Sequence, residues 1–162
     1  MSVNVLPSQT SPVCPLFADP QLGCDWCGAE LPPRHRRWCS DACVRAFLYN
    51  HRWEDARVEA LRRAEVRWTE PGKFGHPIVH VAHMCAHCGD VLEQSEWTAG
   101  GHVVEVNHKV PVLGKHALMG CHHHQDGLEV LCRRCHKDVT RRQRAAGWQQ
   151  VTPRLVQEPT LF

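Results

Sequence analysis

Cys85-Ala86-His87-Cys88, answered far downstream by Leu131-Cys132-Arg133-Arg134-Cys135-His136, decides the fold. In each segment two residues separate two cysteines, so both sulfurs reach one ion, and two such knuckles supply the four thiolates of a closed tetrahedral Zn²⁺ site. Clamping them together draws the intervening chain into one unit. It also brings His108, in Glu105-Val106-Asn107-His108, toward His136 from a distant position.

A second quartet lies upstream. Cys24-Asp25-Trp26-Cys27-Gly28 and Arg37-Trp38-Cys39-Ser40-Asp41-Ala42-Cys43 give C-x2-C-x11-C-x3-C. Gly28 permits the tight turn around sulfur, and Ser40 suits the N-cap of a helix whose first turn carries Cys43. Four thiolates leave no position open for water. Both sets, Cys24, Cys27, Cys39 and Cys43 and then Cys85, Cys88, Cys132 and Cys135, therefore read as structural sites for two Zn²⁺.

Composition agrees with that reading. The 162 residues include ten Cys, thirteen His and six Trp, a bias suited to metal chemistry. The tight cysteine pairs differ from the irregular spacing of secreted disulfide frameworks, and Met1 to Pro20 has neither the basic start nor the apolar run of a signal peptide. No later segment approaches the length of a membrane span. The expectation is a soluble, reduced, cytoplasmic protein with no membrane partner. The formal charge of +2 turns negative once the thiolates and their ions are counted, so global charge gives no argument for nucleic acid. Local charge does: Arg133, Arg134, Lys137, Arg141, Arg142 and Arg144 stand together against Asp138.

The remaining segments sort by periodicity. Residues 1–23, rich in Pro, Ser and Gln, form a loose leader in which Cys14 reads as a lone thiol. Ala42 to Tyr49 forms a helix that Asn50 and His51 break or cap. Trp53 to Val66 forms a second, with Trp53, Ala56, Ala60, Leu61, Ala64 and Trp68 on its apolar face and Glu59 with Arg62 or Arg63 on a solvated one. Pro71 to Pro77 is a loop, and Ile78 to His83 a strand. His80, His83 and His87 read as ordinary strand or loop residues because Cys85 and Cys88 already fill the knuckle. His102 to His108 is a strand, Gly114 to Gly120 a loop, Leu128 to Leu131 a short strand, and His136 to Ala146 a helix stopped by Gly147. The fold class is small, zinc-stabilised α+β.

From Cys24 to Gly147 the chain resembles the HNH endonucleases, whose ββα-metal finger is a strand, a loop, a short strand and a helix. Val106-Asn107-His108-Lys109-Val110-Pro111 and the Leu131 to His136 segment carry the resemblance. The upstream quartet resembles the treble-clef finger and helical linker that precede this segment in certain helicase-fused and actinobacterial or phage nucleases. The resemblance implies residues 24–68 as finger and linker and 78–147 as nuclease domain; residues 148–162, with Pro153 and Pro159 and no core pattern, read as a flexible tail. It implies metal-dependent hydrolysis of DNA phosphodiester bonds, leaving 5′-phosphate and 3′-hydroxyl ends; no residue pattern encodes base readout, so little sequence preference is the expectation. His108 would be the general base for the attacking water. His136 would anchor one catalytic divalent ion, Mg²⁺, Mn²⁺, Ni²⁺ or Zn²⁺. The setting implied is bacterial or phage-encoded, nucleoid-associated, in repair, phage or defence systems.

Two positions depart from the family pattern. Asp most often precedes the base, and here Asn107 does; the family Asn falls on Gly127 of Gly127-Leu128-Glu129-Val130-Leu131-Cys132. Either other side chains complete the metal site, or catalysis is impaired and the chain is a zinc-dependent nucleic-acid- or protein-binding module. The nearest replacements lie in Gly120-Cys121-His122-His123-His124-Gln125-Asp126, where one or two of the consecutive histidines can reach a single ion. His124 or His122 thus joins Asn107 and His136 as candidate catalytic-metal ligands, against a solvated or phosphate-facing loop, and Cys121 reads as a buried thiol, with a stray ligand as the alternative. Lys137, Arg141 and Arg144 recur at helical spacing and, with Arg133, Arg134 and Arg142, offer DNA a basic face. The ending Gln157-Glu158-Pro159-Thr160-Leu161-Phe162 resembles peptides that dock bacterial repair proteins on the sliding clamp. A clamp- or helicase-type partner is the expectation there, against a disordered end.

Overall fold

The computed structural model describes residues 23–93, 104–112 and 118–146. Cys14, the start of the strand expected from His102, the stop at Gly147 and the clamp-like tail lie outside the described residues.

The described residues open with the first cysteine quartet and turn into two helices. The Ser40 hydroxyl accepts a hydrogen bond from the Cys43 N–H at 3.3 Å and so starts α1 (Asp41–His51) where expected. Asn50 and His51 do not break the helix; both are buried inside it. Each has a tertiary use that local sequence does not encode. The Asn50 carboxamide donates to the Ala46 carbonyl and accepts from the Gln125 N–H, and His51 Nδ1 meets the Phe47 carbonyl at 2.8 Å. Arg52, in extended backbone, makes the actual break before α2 (Trp53–Arg63).

Helix α2 stops short of the expected Val66. Glu65–Pro71 is instead β1, paired antiparallel with β2 (Pro77–Met84), which also pairs with β3 (Val91–Glu93). Trp68 explains the difference. It lies opposite His80 in the sheet, ring over ring at 5.0 Å and 5°, and such cross-strand contact of an aromatic residue outweighs the local helical spacing. Pro71 and Pro77 pair across the hairpin instead of forming a structureless loop, and the turn between them uses the left-handed backbone of Phe74 and Gly75. Glu59, expected on a solvated face, is buried and held by a two-pronged contact from Arg62 at 2.7 Å on each oxygen.

The last unit is a second, two-stranded sheet, β4 (Val104–His108) with β5 (Leu128–Cys132), running into α3 (Arg133–Ala145). Its register sets Asn107 against Glu129 and His108 against Leu128. Val104 and Val106 pack with Leu128 and Val130 on Ala56, Ala60 and Trp53 of α2. Leu131 packs with Cys85, Leu92 and Val139 of α3. A sheet of two strands is marginal in water, so its two helices are a condition of its existence. Among the described residues, three helices and two small sheets thus make a small α+β fold, and no helix is long and apolar enough to cross a membrane.

Leu131 is fully buried where sheet, knuckle and α3 meet. We expect Leu131→Ala to lower unfolding free energy by about 2–5 kcal/mol in urea titration. Val58→Ala, on an exposed site, should stay within about 0.5 kcal/mol.

Candidate metal centres and basic helix

The two cysteine quartets each close in space. Within either one, a sulfur from every residue lies within 4.8 Å of the others. Neighbouring sulfurs sit 3.5, 3.6 and 3.7 Å apart in the first cluster, and Cys88 and Cys132 are 3.9 Å apart in the second. These are not disulfide distances. A tetrahedron with Zn–S bonds of about 2.3 Å has edges of about 3.8 Å, so both clusters can hold a structural ion such as zinc.

The same local design recurs in both knuckles. Gly28 and Gly89 follow the second cysteine with φ of 72° and 75°, and each N–H donates to the carbonyl of the first, Cys24 or Cys85. At the other half of each cluster a helix begins. There Cys132 caps α3, its sulfur accepting from the Cys135 N–H at 3.4 Å.

Thiol ionisation shows what an ion must do. Burial alone would raise Cys24, but backbone N–H groups of Cys27, Cys39 and Trp26 aimed at its sulfur bring it down to about 6. Cys85 follows suit, burial being overcome by the N–H groups of Cys88, Cys132 and His87, to about 6. Burial, then the neighbouring sulfurs of Cys39, Cys27 and Cys24, pushes Cys43 up to about 12. Contact with the Cys132 sulfur, followed by burial, pushes Cys135 to about 12. One thiolate per cluster forms readily and makes the next harder. A divalent cation reverses that order by displacing the remaining protons.

The histidines divide into separate groups. His108, buried at the end of β4, lies under the Trp53 indole at 4.9 Å and 23°, and its Nε2 meets Nδ1 of buried His123 at 3.1 Å. His122 lies beside them, its ring centroid 3.9 Å from that of His123 and its plane tilted by 59°. Gly120 makes room for it, since a Cβ there would lie 2.4 Å from the His122 ring. His124 turns the other way, to His51 of α1 and to Cys121. Cys121 is half-buried in that group, not sequestered in apolar surroundings.

His136, on the first turns of α3, pairs through Nδ1 with Glu105. Asn107 donates to Glu129 at 2.9 Å, and Glu129 also meets His87 at 3.1 Å. Alternation along β4 puts Glu105 and Asn107 on the face toward α3 and His108 on the face toward α2. The two faces meet around the strand edge in a cleft of about 430 Å³ lined by Trp53, Asn107, His108, Pro111, His136 and Gln143. His108 and His136 thus share a cleft, but among the described residues no group of three close ligands contains either. His123, Glu105 and Glu129 are the neighbours that sequence reading passed over. Glu105, two residues before Asn107 in the same strand, shares its face, whereas Glu129 faces Asn107 from β5 and His123 comes from a 3₁₀ turn, so no local pattern announces either.

Of the strand histidines, His80 lies between Trp68, Glu70 and Glu93, and burial lowers the His83 pKa with Glu65 opposing. Arg133, Arg134, Lys137, Arg141, Arg142 and Arg144 are all exposed on α3. Arg134 reaches Asp90 at 3.9 Å, and Arg141 reaches Asp138 at 3.1 Å.

We expect two tightly held ions in the sulfur clusters and loss of one in Cys85→Ser. Because bound thiolates are deprotonated, acidification must protonate them; stability conferred by the ions is full at neutral pH and lost as pH falls. A chromophoric chelator should therefore report zinc release on the acid side only. No family model, curated protein or solved structure matches this chain.

Proposed function

We propose that the chain is a metal-dependent DNA endonuclease of the HNH type, with β4, β5 and α3 as its ββα-metal finger and the first quartet as a treble-clef-like finger. The observation that carries this reading is the shared cleft of His108 and His136, beside an exposed basic helix. His108 is the general base that takes a proton from the attacking water, a task suited to imidazole near neutral pH. Trp53 and His123 fix its ring, so they are positioning residues. His136 and Glu105, already in contact, are the pair best able to take up the catalytic divalent ion, with the Asn107 carbonyl oxygen as a weaker donor. The ion would hold the scissile phosphate and stabilise charge on the leaving oxygen. Lys137, Arg141 and Arg144 would follow the phosphate backbone, which carries no base readout and so gives cleavage with little sequence preference.

A second reading, a zinc-dependent binding module without catalysis, draws support from one arrangement. His136 and Asn107 are each engaged by a carboxylate instead of converging with other ligands. Plasmid cleavage across Mg²⁺, Mn²⁺, Ni²⁺ and Zn²⁺, with EDTA as control, separates the two. We expect metal-dependent nicking that His108→Ala reduces by about 10²- to 10⁴-fold while DNA affinity is kept. Retained DNA binding with no cleavage under any metal gives the second reading instead.

Asn107→Asp sharpens the test. It would set a carboxylate 2.9 Å from Glu129, where like charges repel unless a cation lies between them. We expect the variant to be less stable in EDTA, to recover with Mn²⁺ or Mg²⁺, and to need less metal for cleavage. Unchanged metal dependence in thermal melts and cleavage assays would move the ion away from β4.

A further inference from the structure

We propose that His51, Cys121 and His124 form a third metal site, separate from the four-sulfur clusters, that takes a borderline ion such as Zn²⁺. The inference stands whether or not the chain cleaves DNA. One ligating atom from each of the three residues falls within 4.8 Å of the others. Cys121 and His124 are spaced as a knuckle, with two residues between them, in the turn after Gly120, and His51 joins them from the end of α1, far away in the sequence.

The two rings are set so that both can serve as ligands to one ion. His51 Nδ1 lies 2.8 Å from the Phe47 carbonyl, so it carries the proton and leaves the Nε2 lone pair for a ligand role. That nitrogen meets His124 Nε2 at 3.1 Å. A straight N–H···N bond of that length would separate the ring centroids by about 5.4 Å. Two imidazoles on one ion, each bound at about 2.0–2.1 Å with nitrogens that close, would have centroids about 4.8 Å apart. The centroids are 4.8 Å apart, with the ring planes at 89°. That spacing lets both nitrogens reach one ion, and the Cys121 sulfur lies within 4.8 Å of them as a third donor.

Both sides of the site are held by contacts that do not involve an ion. His51 is fully buried and stacked on Phe47 at 4.4 Å. The Gly120 N–H donates to the His51 carbonyl at 2.9 Å, and the Gln125 carboxamide donates to the Tyr49 and Ala56 carbonyls at 2.6 and 2.9 Å. Rigid scaffolding of this kind is what a selective metal site needs. Two neutral imidazoles and one thiolate suit Zn²⁺, Co²⁺ or a copper ion, and three protein donors leave a fourth position for water or another ligand. The ion would also pin the turn that delivers His123 to His108. It would act on that pair through position alone.

The test uses the untagged full chain, dialysed free of loose metal. Elemental analysis should give three zinc ions per chain, and Cys121→Ser and His124→Asn should each hold two. Cobalt substitution distinguishes the sites, because sulfur-to-metal charge transfer scales with the number of thiolates. Two equivalents should show the strong four-sulfur bands, and a third a weaker band that Cys121→Ser abolishes while the other two persist. Two ions per chain in the parent would overturn the proposal, as would a third whose spectrum neither substitution changes. Should a substituted protein fail to fold, the parent's cobalt titration decides alone: a third equivalent with a one-sulfur spectrum supports the site, and four-sulfur bands only, at any loading, refute it.

Discussion

Cys132 is the residue on which the rest of the molecule depends. It ends β5, caps α3 through its sulfur and belongs to the second four-sulfur cluster. The described core around it is thin. Apart from Phe47, Leu128, Val130 and Leu131, its buried apolar members are alanines and cysteines. Full burial of a large apolar side chain contributes about 1.5–3 kcal/mol, whereas a zinc ion in a small finger contributes about 10–16 kcal/mol. An ion at Cys132 therefore outweighs several core side chains at once. Without it, the β2–β3 knuckle, β5 and α3 are joined mainly by Leu131, Leu92 and Val139. The Ala86 N–H bond to the Val130 carbonyl, 2.8 Å long, adds only the modest net worth of one hydrogen bond.

The sequence made the clusters legible because thiolate spacing is a local signal with a strict geometric purpose. Cys24 to Cys43 and Cys85 to Cys135 gather as their spacing requires, and Ser40 caps as its position suggests. Periodicity was weaker evidence. Ala64, Val66 and Trp68 continue a helical stripe on paper, yet Trp68 belongs to β1 because its partner His80 lies across a hairpin. Asn50 and His51 carry the chemistry of a helix stop, but α1 keeps both for contacts with Gln125 and His124. In each case a long-range partner overrode a local preference, and no single sequence contains that information.

The candidate site was legible in its ends and not in its middle. His108 and His136 share a cleft, as their places in the two motifs suggest. The histidines between them could not be assigned from order alone. In the short 3₁₀ turn Cys121–His123 successive side chains point in different directions, so neighbours in sequence become members of different groups. His123 goes to His108 and His124 to His51. The turn consequently ties two polar centres together through backbone, and an ordering force on one side reaches the other without any side chain in common.

Charge on α3 has two claims on it, and position separates them. Arg134, beside Asp90, has its pKa raised first by that carboxylate and then by Cys132, Cys135 and Cys88, so it neutralises the sulfur cluster at the helix start. The field of a four-thiolate zinc site is negative and falls away within about a Debye length of ~8 Å, about one and a half helical turns beyond the cluster. Arg141, six residues and so about 9 Å of helix rise beyond Cys135, lies outside that reach and pairs with Asp138 at 3.1 Å on its own helix. The same helix can therefore stabilise anionic sulfur at its first turn and present excess positive charge along the rest. That division gives the basic residues of one short helix two surroundings: Arg134 at its start faces the sulfur cluster and Asp90, and Arg141 pairs within the helix.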